Sequence, residues 1–197
     1  AEVPATFSFS GSGYGHGVGM SQIGAKVRAL SGESATAILN YYYKDVVIAP
    51  VVDTATIRVN IAHDVRTVAF MTPAADSSFE IYSGEIPVGT IAPPLFNFPA
   101  RQKVTVKYDG KNLTINGAVV NGKIFTVRWF GALPVISFSL AGTSTLYRYG
   151  QINIRVGKSS LMVTNSLSVH DEYLLGLSEM PSSWPAAALE AQVIAAR

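Results

Sequence analysis

The strongest constraint on this chain is the density of tight-turn dipeptides in its middle. Asp109-Gly110, Asn116-Gly117 and Asn121-Gly122 fall within fourteen residues. Each joins a residue tolerant of left-handed backbone to glycine, the composition that two-residue hairpin turns demand. The stretches between them are short and alternate. Val104, Val106 and Tyr108 lead into the first turn, and Leu113 and Ile115 leave it. A period of two puts the apolar side chains on one face of a strand. Residues 56–61 alternate in the same way, and residues 124–130 form a further strand after the third turn. A last hairpin is expected with residues 146–156 as one arm, a turn at Gly157-Lys158, and a return through residues 161–167. This pattern excludes an all-helical chain and predicts an antiparallel meander. The uncharged run at residues 129–147 is long enough to cross a membrane. It contains Pro134, however, and alternates Ile136, Phe138 and Leu140 against Ser137 and Ser139, which is a strand's period and not a transmembrane helix.

Helical signals sit at the two ends. Ile23, Val27 and Leu30 recur at i, i+4 and i+7 and make one stripe, stopped by Ser31-Gly32. Ser34 can cap a second helix with Ile38, Leu39 and Tyr42 on its apolar face, closed by the cluster Tyr41-Tyr42-Tyr43. Far along the chain, Ser168-Val169-His170-Asp171 has the outline of a capping box with Asp in place of Glu. It opens a short helix through Tyr173, Leu174 and Leu175 that ends near Gly176. After "LSEMPSSWP", Ser183 or Trp184 can cap a final helix with Pro185 in its first turn. There "AAALEAQVIAAR" places Leu189, Val193 and Ala196 on one stripe. The expected class is α+β. A β-rich centre carries short helices near both ends that pack together, and a proline-rich connector at residues 91–99 separates two β lobes. Three segments follow: 1–50 with the glycine loop; 51–145, β-rich, with an inserted lobe from about 95 to 145; and 146–197.

Composition removes several classes of function. The 197 residues include no cysteine, which excludes thiolate zinc sites, iron–sulfur clusters, disulfides and a Cys nucleophile. The net charge is +2, and no Lys/Arg cluster interleaves with aromatics, so nucleic acid is not an expected partner. Residues 1–4 carry neither a basic nor an apolar leader pattern, as a mature amino terminus would.

The glycine loop "GSGYGHGVGMSQIGA" sets five glycines and His16 in nine residues, 11–19. Ordering that much glycine is costly, so the loop is expected to need left-handed backbone or very close approach. It fits G-x-G-x-x-G in no frame, and no P-loop or HExxH motif occurs. A zinc site would require His16, His63 and His170 to converge; neither a metal nor a cofactor is expected. His16 is either a structural loop histidine or a proton carrier reached by a ligand between the glycines. Tyr14 in the same loop, and Ser21 and Gln22 at the following helix start, are candidate ligand contacts. Glu179 is the second focus. Set among Leu177, Met180, Pro181 and Trp184, it is either a desolvated carboxyl able to act as a general acid or a solvent-facing carboxylate before a helix. Asp171 and Glu172 read as helix-start residues and Glu190 as a surface charge.

Two stretches together, "GYGHGVGMSQIGA…GESATAILNYYY" and "YLLGLSEMPSSWPAAALEAQVIAAR", resemble the two signature segments of the SpoIID/LytB family of bacterial cell-wall enzymes and amidase enhancers. The resemblance covers residues 11–43 and 146–197. It implies a secreted, cell-envelope lytic transglycosylase that cleaves peptidoglycan glycan strands stripped of peptides. It makes Glu179 of Glu-Met-Pro the catalytic acid, with His16 beside it, and Ser21, Gln22, Tyr14, Met180 and Trp184 as substrate contacts. In much of the family the Glu segment comes first; here the order is reversed, as in a circular permutation. The family pattern also runs on past Ala-Ala-Arg, so this chain is expected to be part of a longer domain. Some members bind zinc through Cys and His; without Cys that site does not carry over. Two further readings accompany the enzyme: a non-catalytic enhancer of an N-acetylmuramoyl-L-alanine amidase, and a wall-binding module using its tyrosines and tryptophans.

Overall fold

A computed structural model describes Thr6, Ser8 and residues 18–197. The chain divides into two compact units. One holds the described residues up to Val52 together with Leu177–Arg197, and the other is Asp53–Gly176. Residues 146–176, grouped by sequence with the Glu-Met-Pro segment, lie in the second unit.

The first unit is helical: α1 (Gln22–Leu30), α2 (Ala35–Tyr42) and α3 (Ala186–Ala196). Ser21 and Ser34 cap α1 and α2, their hydroxyls accepting from Gly24 N and Ala37 N, which satisfies one orphan amide at each start. The α3 start differs from expectation. Neither Ser183 nor Trp184 caps it; Pro185 occupies the cap position with no side-chain bond. The core of this unit joins Ala25, Ala35, Ile38, Leu39, Met180, Ala188 and Ala191. Ile38 and Leu39 point inward as their spacing suggested. The α1 stripe does not: Ile23, Val27 and Leu30 are 63%, 56% and 67% exposed, while Ala25 is fully buried. The reason is steric. Ala25 meets the Ala188 and Ala191 face of α3 in one cluster, and small residues allow helix axes to approach more closely than branched side chains do.

The second unit holds twelve strands: β1 (Thr56–Val65), β2 (Thr67–Met71), β3 (Ser78–Ser83), β4 (Phe96–Pro99), β5 (Val104–Tyr108) and β6 (Leu113–Ile115), then β7 (Ala118–Val120), β8 (Ile124–Phe130), β9 (Ile136–Leu140), β10 (Thr143–Tyr147), β11 (Gln151–Val156) and β12 (Leu161–Ser168). They form two six-stranded sheets, ordered β1-β12-β11-β8-β3-β4 and β10-β9-β2-β5-β6-β7, with every pair antiparallel. The α+β, β-rich class is therefore the observed one. Inward residues of both sheets make one core, with Phe79, Ile81, Phe125, Ile152 and Ile154 from the first and Val68, Phe70, Val104, Ile115 and Ile136 from the second. Phe70 and Phe138, directly opposite across β2 and β9, have ring centroids 5.7 Å apart. Each fully buried Phe or Ile here contributes about 1.5–3 kcal/mol by leaving water.

The turn chemistry holds where it is local. Asn116 and Gly117 sit at φ 47° and 85° between β6 and β7, the doubly positive φ of a type I′ hairpin. Two longer-range expectations fail. The connector at 91–99 divides no lobes, because strands from either side of it pair: β2 with β5 and β9, β3 with β8. Nor is 146–156 one arm of a hairpin. Leu146 and Tyr147 end β10 in one sheet, and β11 begins at Gln151 in the other. Gly150, at φ 78°, turns the chain between them.

Candidate functional site

The candidate acid lies in the helical unit. Glu179 and Met180 precede a turn closed by Trp184 N–H donating to Pro181 O at 3.0 Å. Pro181 and Pro185 fix φ at both ends of that turn, and the two neighbouring side chains then part. Met180 is 6% exposed and packed in the core with Ala25 and Ala188. Glu179 is exposed, and its Oε2 accepts a hydrogen bond from Gln192 Nε2 at 2.6 Å. Of the two readings of Glu179, the fold provides the solvent-facing carboxylate and not a carboxyl desolvated by Met180 and Trp184. The Met180 side chain is taken up by the core, and the carboxyl faces outward.

Trp184 is half-buried, with the Lys26 ammonium 4.9 Å from its ring centroid. Such a contact is worth about 0.5–1 kcal/mol at an exposed position. It binds α1 to the loop before α3. Gln22 lies one helical turn before Lys26, on the same face of α1. Ser21 is exposed, with its hydroxyl committed to the cap. At the start of α1, Met20 N–H donates to the Tyr43 hydroxyl at 3.1 Å. Arg28 closes the far end. Its Nη1 donates to both carboxylate oxygens of Glu33, at 2.7 and 2.9 Å, and its guanidinium carbon lies 3.2 Å from the Tyr41 ring centroid. Its hydrogen bond to the Glu33 carboxylate raises its pKa above the ordinary arginine value. His16 and Tyr14 fall outside the described residues.

Gln192 is a residue that the sequence reading did not select. The available signal was its place on a helix whose one other polar residue is Glu190, one turn after Ala188. The other two histidines belong to the strand-rich unit: His63 on β1 and His170 in a π-helical turn, Val169–Tyr173, both exposed. Among the described residues, no three His, Cys, Asp or Glu side chains are placed to hold a metal ion, and no helix is long and apolar enough to cross a membrane.

The strand-rich unit has a polar network of its own, also unselected from sequence. Arg128 on β8 donates to Gln151 Oε1 at 2.9 Å and to the carbonyls of Thr90 and Pro87, each at 2.6 Å. Gln151 in turn donates to Ile86 O at 2.6 Å. Together they hold down the strap between β3 and β4. Beside it, buried Tyr82 donates to the Glu80 carboxylate. Burial and then that hydrogen bond push the Tyr82 phenol up to about 12. Glu172, read as a helix-start residue, bridges two elements. Its two oxygens accept from Gly150 N at 2.8 Å and Ser168 N at 2.7 Å. With Ser168 Oγ accepting from Asp171 N at 3.3 Å, Glu172 and not Asp171 closes the capping box.

Comparison with protein-family models, with curated proteins and with solved structures found no match to this chain.

Proposed function

We propose that this chain is a peptidoglycan lytic transglycosylase of the cell envelope, in which Glu179 serves in turn as acid and base. One observation carries the reading. The Glu-Met-Pro segment and the helix that follows the glycine loop come from opposite ends of the sequence, yet Met180, Ala25, Ala188 and Ala191 share one core. That packing holds the Glu179 carboxyl at the surface, oriented by Gln192.

The chemistry needs a single carboxyl. Protonated Glu179 gives its proton to the glycosidic oxygen as the bond from the muramic anomeric carbon to that oxygen breaks. The resulting carboxylate takes the proton of the muramic 6-hydroxyl, whose oxygen bonds to the anomeric carbon. The product is a 1,6-anhydro end, and no water is consumed. A hydrolase would instead require a second carboxylate at a set spacing. Positioned proton transfer of this kind contributes about 10²–10⁴ in rate.

The test is incubation with peptide-stripped glycan strands and mass spectrometry of the ends. Anhydro-muramyl ends are expected from the native chain, with a loss of at least about 10²-fold in Glu179→Gln. Full turnover by that variant would refute the assignment. The exposure of Glu179 favours one second reading, a non-catalytic enhancer that binds glycan or an N-acetylmuramoyl-L-alanine amidase. Amidase stimulation that survives Glu179→Gln, with no anhydro ends from either protein, selects it.

A further inference from the structure

At one end of the strand-rich unit, three turns from distant parts of the sequence meet around a groove of about 550 Å³. The β5–β6 turn contributes Lys111, the β7–β8 connector Lys123, and the β11–β12 turn Lys158. No Asp or Glu lines the groove. Among the described residues, none of the three ammonium groups has a carboxylate within ion-pair distance. Asn112 and Asn121 add amide groups to the wall, while Leu113, Val120 and Val156 supply an apolar part.

The lysine backbones are held by the sheets. Val156 N–H donates to Lys123 O at 2.8 Å, tying the ends of β11 and β8. Gly157 N–H donates to Ser160 O at 2.8 Å and sets the turn that carries Lys158. Asp109, the nearest carboxylate in sequence, keeps its charge but turns it to its own backbone. Its Oδ1 accepts from Lys111 N at 2.8 Å and Asn112 N at 2.7 Å, and these backbone bonds hold its carboxyl below the ordinary aspartate range. Three like charges gathered at one concavity repel each other. None of the three is ion-paired among the described residues, and a bound polyanion would offset that repulsion. Lysine suits such a ligand as a mobile point charge with three donors.

We infer that this groove binds a small ligand carrying two or more adjacent phosphate groups, held by Lys111, Lys123 and Lys158. The site lies in the strand-rich unit and does not depend on the glycan-cleaving reading.

Tripolyphosphate is the probe, titrated into the full chain by calorimetry at low salt, with inorganic phosphate as the single-group comparison. Tripolyphosphate is expected to bind at least about tenfold tighter than phosphate, and to weaken about tenfold when salt rises from about 50 to 200 mM. A Lys111→Ala/Lys123→Ala/Lys158→Ala variant should lose at least about tenfold in affinity. A charge-matched Lys44→Ala/Lys103→Ala/Arg148→Ala variant should stay within about twofold. Amide chemical shifts of the native chain give a readout that needs no variant: residues 111–112, 121–123 and 157–158 should move on titration. Equal affinity for the two anions, equal loss in both triple variants, or shifts confined to other residues would each overturn the inference.

Discussion

Arg128→Ala is the sharpest probe of the strand-rich unit. In the native fold the guanidinium reaches from β8 to a strap some forty residues earlier, with two carbonyl bonds of 2.6 Å and one of 2.9 Å to Gln151. The two carbonyl bonds are exposed. Water can replace them, and each is worth about 0.5–1.5 kcal/mol. The third acceptor is different. Gln151 is 4% exposed, so its freed Oε1 is left without a partner at about 1–3 kcal/mol. The expected loss is about 2–6 kcal/mol in urea denaturation followed by tryptophan fluorescence. It should be accompanied by faster hydrogen exchange at Ile86 N–H, which donates to Thr126 Oγ1, and at Thr90 N–H, which donates to Pro87 O. Arg128→Lys should recover less than half of the loss, because one ammonium cannot span the same acceptors. A loss under about 1 kcal/mol, with exchange at Ile86 and Thr90 unchanged, would show that the strap does not depend on this residue.

Three other outcomes follow from the same geometry. The Tyr82 phenol is raised from an ordinary value near 10 to about 12, so the fold favours its neutral form. The stability this confers is complete below about pH 10 and is lost as pH rises toward 12; tyrosinate absorbance should show a step near 12 that disappears in Tyr82→Phe, while Tyr147, which burial alone pushes above the ordinary range, still titrates late. At Gly150 a side chain would collide with Ser166 O and sit 2.8 Å from Asn165 Oδ1, at a φ of 78°. Gly150→Ala is therefore expected to cost about 3 kcal/mol or more, read as a lowered urea midpoint. Glu172→Ala leaves the amides of Gly150 and Ser168 without their shared acceptor and should cost about 2–4 kcal/mol in thermal denaturation, with Glu172→Gln costing less.

Sequence by itself determined the features that depend on near neighbours. The Asn116-Gly117 turn, the Ser34 cap and the inward pair Ile38 and Leu39 were all legible, because turn and cap chemistry is settled within a few residues. So was the strand-rich class, since a period of two in short runs between glycine turns admits little else. Tertiary structure decided everything that needed a distant partner. It buried Ala25 and left Ile23, Val27 and Leu30 outside, because a stripe states a helix's apolar face but not which face another helix will cover. It interleaved strands from both sides of the proline-rich connector. It drew Gln192 to Glu179 while sending the adjacent Met180 inward, and it carried Arg128 to a strap in another part of the chain. In each case the deciding energy is a contact between residues far apart in sequence, where burial must outweigh the entropy of closing the loop between them, and nothing in the local pattern of either residue records its partner.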